Sequence, residues 1–339
     1  MALNPRTKSL VILAAKIIVA ATLIGWLIRS GVLKMGALVI YIDKPALLVA
    51  DLALFAVAVM AGTMRWRALL VLAGAEIPFW RAMQLQLTAF FFNVVIPGNV
   101  GGDVLKALYV ARDSAPEKRT TILLLVFVER LVGLAALVLV ASGVGVLRGP
   151  TLWADPQLRQ LALAVAFLGV CTVVGPVLFV IFMRRAGDRL ETWTSGSSVV
   201  AKLAGRLVAS ARLLAAGPRQ LVIALVISML MHAATMAFYT MLTRAITLQD
   251  VPFSAIATVY PLGILTMILP ISPAGVGVGH VAFDRLFSII GLHDGATVFN
   301  VYLVGFLAPC LVGVVPYLAL RRSGQLPTDE EATAPVPGK

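Results

Sequence analysis

RAMQLQLTAFFFNVVIPGNVGGDVLKALYVAR, residues 81–112, decides how this chain folds. Residues 81–96 are apolar enough for a membrane but short, spanning roughly 24 Å as a helix. A bilayer core is about 30 Å thick. The segment then runs into PGNVGGD, residues 97–103. Glycine- and proline-rich backbone cannot satisfy itself as a helix does. It is tolerated at membrane depth only where protein or a water-filled cavity pairs with it. The stretch is therefore read as a hairpin that enters and leaves the membrane on one side, with residues 104–111 as its return arm. Residues 255–269 repeat the design: they are short, contain Pro261, and run into PISPAGVGVGH at 270–280.

Six other segments are long enough to cross: residues 10–28, 46–64, 120–146, 158–183, 220–242 and 296–320. Of the 339 residues, 60% are hydrophobic and only 13% charged, where soluble proteins carry about 25% charged residues. The solvent for such a surface is lipid. The first segment is too long for the apolar part of a signal peptide and lacks a clear cleavage site, so it reads as a retained span. The net charge of +12 lies mainly in loops. There it sets topology and meets anionic headgroups rather than nucleic acid. Cys171 and Cys310 lie far apart in apolar runs, and the three histidines have no ligand spacing. Neither a metal site nor a cofactor is expected.

Basic residues discriminate between topologies. With all eight segments spanning, the cytoplasmic side holds fifteen of them against eleven outside; with the two short segments re-entrant and the N-terminus inside, it holds nineteen against seven. The positive-inside rule prefers the second arrangement. The expected fold is an all-α polytopic membrane protein of six full spans plus two re-entrant helical hairpins, in the inner (cytoplasmic) membrane with both termini cytoplasmic. Its halves, about 1–150 and 151–320, each read span, span, hairpin, span. Three crossings per half make the second an inverted repeat of the first, a transporter layout. PGNVG at 97–101 parallels PAGVG at 273–277. A basic amphipathic segment, 184–219, joins the halves: Val200, Leu203, Leu207 and Leu214 share one face, Lys202 and Arg206 the other. Residues 321–339 read as a disordered cytoplasmic tail.

Ionisable residues inside a membrane are costly and usually functional. Glu129 and Arg130 fall within residues 120–146, about 100° apart on a helix, so each looks for its own partner. Asp103 follows the first glycine turn and Lys106 lies one turn on; Asn93 flanks the same bend. Successive N–H groups in a glycine turn at a helix start suit an anion. A phosphate beside Lys106 and Arg130 is the natural occupant, and a structural ion pair is the alternative. Arg65, Trp66 and Arg67, just past the second span, read as interface anchors. No H-E-x-x-H or G-x-S-x-G motif is present, and Val100 breaks the glycine pattern an intramembrane aspartyl protease would need before Asp103.

FFFNVVIPGNVGGDVLKALYVARD, the pair Glu129–Arg130 in VERLVGL, and SPAGVGVGHVAF together resemble the lysylphosphatidylglycerol synthase transmembrane-region family, the flippase-like domain at the N-terminus of multiple peptide resistance factor. The resemblance runs over roughly residues 10–320. Its matching positions are Asn93, Pro97, Gly101, Gly102, Asp103, Glu129, Arg130, Pro273, Gly275 and Gly277. The family often has Arg where this chain has Lys106, and Glu where it has His280, so no acidic role carries over to that histidine. The resemblance implies movement of a lipid or polyprenyl-linked headgroup between leaflets, with these residues, Lys106 and His280 included, as the substrate-binding set. The soluble aminoacyl-transferase of the full-length synthases is expected to be absent, and with it their aminoacylation activity. Two rival readings are an accessory subunit presenting lipid to a separate lipid-modifying enzyme, and an intramembrane glycosyl- or phosphotransferase using Asp103 and Glu129.

Overall fold

The computed structural model describes residues 35–95, 100–147, 156–194, 199–267 and 277–323, and all regular elements among them are helical. A 3₁₀ turn, Met35–Leu38, leads into α1 (Val39–Asp43) and α2 (Pro45–Leu70), which a further 3₁₀ turn prolongs to Ala73. Then follow α3 (Phe79–Val95), α4 (Gly101–Arg112), α5 (Pro116–Leu147), α6 (Pro156–Trp193) and α7 (Val199–Ala216). The chain continues through α8 (Pro218–Thr247), α9 (Phe253–Thr266), α10 (Val278–Ile289) and α11 (Gly295–Cys310). A 3₁₀ turn, Leu311–Gly313, links α11 to α12 (Val314–Arg322).

Five stretches are long and apolar enough to cross a membrane: Pro45–Ala73, Pro116–Val146, Leu163–Thr192, Pro218–Thr247 and Gly295–Arg322. The expected first span, 10–28, lies outside the described residues, as do 96–99 and 268–276 at the two glycine turns. The helix starts follow from proline chemistry. Pro45, Pro116, Pro156 and Pro218 each open a long helix, at a position whose N–H has no intrahelical acceptor to lose. At the other end of α2, Gly74 takes a left-handed turn with φ of 59°, a conformation glycine adopts without a Cβ penalty.

Burial does not follow polarity along these helices, because lipid and protein interior are equally apolar. On α2, Leu47, Asp51, Leu54, Ala58, Gly62 and Trp66 form a buried stripe while Val49, Val57 and Met64 point outward. α6 goes furthest in this respect. It packs on α5 and α7 and leaves Phe167, Val170, Val173, Val177 and Phe182 exposed. It also continues to Trp193, into what the sequence assigns to the inter-half connection. There Arg212 of α7 pairs with Asp188 and Glu191. α7 lies on α5 through a Thr121–Ser210 hydroxyl contact of 2.8 Å and turns Leu207 outward.

Two apolar clusters form the interior. Trp66, Leu69, Leu85, Phe92, Ile122 and Leu125 anchor one, on α2–α5. Tyr239, Tyr260, Phe283, Phe287 and Phe299 anchor the other, on α8–α11. The packing pairs α2 with α3, α3 with α4 and α4 with α5; likewise it pairs α8 with α9, α9 with α10 and α10 with α11. The two sets meet where α2 lies on α8, α5 on α8 and α9, and α11 on α2 and α3. Lys44 Nζ donates to the Ala245 carbonyl (2.9 Å) and Arg65 Nη1 to Ser228 Oγ (3.0 Å), so α2 and α8 run antiparallel.

α3 and α4 touch at backbone level. A Cβ on Gly102 would sit 1.9 Å from the Ala89 carbonyl oxygen. Gly102→Ala should therefore cost about 1–3 kcal/mol and lower the melting temperature in detergent. Gly143→Ala, with nothing within 4 Å of the added carbon, should leave it unchanged or slightly raised. Equal melting of the two variants would show that α3 and α4 separate without cost.

Candidate functional site

The short helix α4 carries the site. Asp103 and Lys106 occupy successive turns of it, 3.7 Å apart, facing α5. The Lys106 side chain is completely buried. Its Nζ donates to Gln86 Oε1 of α3 at 2.9 Å and to Glu129 Oε2 of α5 at 3.0 Å, and lies 4.5 Å from the centroid of the Trp66 ring. Glu129 Oε1 accepts from Arg65 Nε at 3.2 Å and Nη2 at 3.1 Å. Arg65 uses Nη1 on Ser228 of α8. At the opposite end, Arg130 Nη2 donates to Asp103 Oδ2 at 2.6 Å, and the Gly102 N–H donates to Asn93 Oδ1 at 2.9 Å.

These contacts make one alternating line: Arg65, Glu129, Lys106, Asp103, Arg130. Glu129 and Arg130 are adjacent in sequence, yet the turn of α5 sends them to different partners. Desolvating Lys106 and Glu129 is expensive, and each is held because its neighbours in the line carry opposite charge. Three cations against two carboxylates leave a formal charge of one positive unit. Exposure is graded along the line. The side chains of Lys106 and Glu129 are 0% and 4% exposed, Asp103 is 15%, Arg65 24% and Arg130 39%. The line thus opens most at its Arg130 end. Lys106, wrapped by Gln86, Glu129, Asp103 and Trp66, holds the line together from inside.

Of the residues singled out in the sequence, Asn93, Gly101, Gly102, Asp103, Lys106, Glu129 and Arg130 come together here. Pro97, Pro273 and Gly275 lie outside the described residues. Gly277 and His280 start α10 instead: Gly277 has φ of 84°, and its N–H meets His280 Nδ1 at 3.3 Å. The His280 ring packs edge-on against Phe299, centroids 4.9 Å apart. The second helical pair carries aromatic chemistry where the first carries charge. Four residues after Gly102, Lys106 sits over Trp66; four residues after Gly279, Phe283 stacks on Tyr239 with centroids 5.3 Å apart.

Arg65, Trp66, Gln86 and Ser228 are missing from the sequence-derived set. Reading α2 as ending at Met64 placed Arg65 and Trp66 at a membrane interface. The helix runs on to Leu70, Trp66 is fully buried and Arg65 turns inward. The signal lay in Glu129, a carboxylate in an apolar run that requires cations. Gln86 and Ser228 carry no pattern of their own. Among the described residues no group of three or more His, Cys, Asp or Glu could hold a metal ion.

The sequence model of the lysylphosphatidylglycerol synthase transmembrane region matches residues 13–320. The chain belongs to this family. No curated protein and no solved structure matches it. Membership, together with the apolar helices, makes it a multi-pass membrane protein with a lipid-related function. The buried line of charges sits well inside the matched family region.

Breaking the centre of the line should be costly. Glu129→Gln leaves Arg65 and Lys106 without their shared carboxylate, with an expected loss of about 3–5 kcal/mol. Adding Lys106→Met to it should cost less than the sum of the two single changes, since the double variant buries no lone ammonium there. Melting temperatures of the two single variants and the double variant, in one detergent, give the coupling. Strict additivity would show that Lys106 and Glu129 do not stabilise each other.

Proposed function

We propose that the chain is a flippase or transporter that moves a lipid, or a polyprenyl-linked headgroup, between leaflets of the inner (cytoplasmic) membrane. The observation that carries this reading is the Arg130–Asp103 pair: the accessible end of a buried, net-positive line of charges, at the tip of a short helix pair. A phosphate has the charge and the two-oxygen geometry to replace the Asp103 carboxylate on the Arg130 guanidinium. Asn93 and Gly102 shape the turn beside it, and Lys106 and Glu129 fix the helices that present it.

The architecture under this proposal has six spans, two re-entrant hairpins (α3–α4 and α9–α10) and an inverted repeat, with both termini cytoplasmic. The matching sequence of helix contacts in the two halves supports the repeat. So does the antiparallel course of α2 and α8, which occupy equivalent places in it. Alternating access then amounts to exchange of the two helix pairs around a common midplane. The second reading, an accessory subunit that hands lipid to a separate enzyme, draws on the family description, which names a synthase.

Reconstitution into liposomes tests the function. Arg130→Ala should abolish leaflet exchange of a fluorescent phospholipid while melting within a few degrees of the wild type. Arg130→Lys should recover part of it, keeping the charge but losing the planar fork. Wild-type chain that exchanges no lipid alone, but does so with a partner enzyme present, would favour the accessory reading. Topology is checked separately: Ala115→Cys, in the turn between α4 and α5, should resist an impermeant thiol reagent applied outside intact cells. Rapid labelling there would remove the re-entrant arrangement.

A further inference from the structure

A second buried charge lies away from the site. Asp51, on the inner stripe of α2, is 3% exposed. Tyr41 Oη of α1 donates to its Oδ2 at 2.9 Å and stands 3.4 Å from the Val301 carbonyl of α11. A Cβ on Gly305 would lie 2.0 Å from the same Oδ2, so the backbone of α11 closes directly over the carboxyl. Phe55, one turn along α2, makes a three-ring cluster with Phe90 and Phe306, every centroid pair 5.9 Å apart. Among the described residues the oxygens placed around the carboxyl are the Tyr41 hydroxyl and the Val301 carbonyl, fewer than the six or so ligands a hard metal cation takes.

Among the described residues no cation pairs with Asp51. Lys44 is engaged by the Ala245 carbonyl, and Arg244 of α8 by the Val251 carbonyl and Asp250. From α5, Glu129 and Arg130 belong to the other network, and Arg81 of α3 pairs with Asp113. Asp43 closes α1, and Cys310 lies further along α11. Tyr302 of α11 is the further titratable group within electrostatic reach of Asp51. A bare carboxylate buried in this way costs several kcal/mol, and binding a proton removes that cost.

The surroundings also hold a cluster of tyrosines. Tyr302 of α11 and Tyr260 of α9 both pack against Tyr239 of α8. Tyr239, fully buried, presses its ring against both tyrosines, with centroids 4.6 and 5.0 Å away, and its hydroxyl has no partner among the described residues. Next to Tyr260 stands His232, whose Nε2 meets the Gly133 carbonyl at 3.1 Å, one turn from Glu129 and Arg130 on α5.

We propose that Asp51 is a proton-binding site, linked by the packed tyrosines Tyr302, Tyr239 and Tyr260 towards His232 and α5, and that lipid movement is coupled to its protonation. In the ionised state the Tyr41 hydroxyl donates to Asp51. When Asp51 takes up a proton, its new O–H donates to Tyr41, whose own hydrogen turns to the Val301 carbonyl. The α1–α2–α11 contact thus has two bonding patterns, differing by one proton taken from one aqueous face and released to the other. The coupling rests on the transport reading; the proton site does not.

Two measurements separate these parts. Infrared spectra of the purified chain across a pH series should contain a titrating carboxylic-acid carbonyl band that Asp51→Asn lacks. Tyr41→Phe, which removes the hydroxyl touching the carboxyl, should move the titration of that band. Spectra identical in wild type and Asp51→Asn, or a titration unmoved by Tyr41→Phe, overturn the site whether or not the chain transports lipid. In liposomes carrying a gradient of one pH unit, the wild type should shift the leaflet ratio of the lipid by up to about tenfold at one proton per lipid, and Asp51→Asn should leave it near unity. A wild-type ratio indifferent to the gradient, or an Asp51→Asn ratio that still follows it, overturns the coupling alone.

Discussion

The described helices of the first half are arranged around an ammonium group shut away from solvent. Lys106 Nζ lies between Glu129, Gln86, Asp103 and the face of Trp66. An isolated ammonium in such a place would lose its proton or unfold its surroundings. Its retention requires four helices at fixed distances: α2 for the ring, α3 for the amide, α4 for the lysine itself and α5 for the carboxylate. Arg65 then balances Glu129 and Arg130 balances Asp103, so the charge line is a consequence of burying one lysine. The closeness of α3 and α4 at Gly102 serves the same end, because it brings the lysine within reach of Gln86.

The second half solves a like packing problem with rings. Phe283 occupies on α10 the place that Lys106 has on α4, counted from the glycine at which each helix is crowded, and Tyr239 stands in for Trp66. Stacked and edge-on aromatic pairs need no counter-charge. One half thus offers fixed charge near its more accessible edge, and the other an apolar interior threaded by hydroxyls.

Much of this could be read in the sequence, and the failures have physical causes. Apolar length located the five long helices, and the glycine turns located both short pairs, because lipid forbids unsatisfied backbone. Asp103, Glu129 and Arg130 stood out as charges inside apolar runs. Arg65 did not, because hydropathy ends a helix at the first arginine whereas a buried carboxylate lets it continue. Lys106 was expected to face a ligand, but its burial is decided by Gln86 and Trp66, which only the fold brings near. Asp51 was overlooked within residues 46–64. One acid in a run of leucine, alanine and valine barely alters an average, although its isolation was the clue.

The contact between Gly102 and Ala89 has a mechanical side. Two helices joined at backbone level resist bending between them, so α3 and α4 act as one stiff arm. Its base is pinned where Arg81 meets Asp113 and Lys118 meets the Gly74 carbonyl, and its far end carries Asp103. α4 is 12 residues long, roughly 18 Å. Swinging an arm of that length by about 10° displaces its end by roughly 3 Å, the length of a hydrogen bond. Leverage of that kind allows a slight adjustment at the pivot to part Asp103 from Arg130, with no need for either helix to unwind.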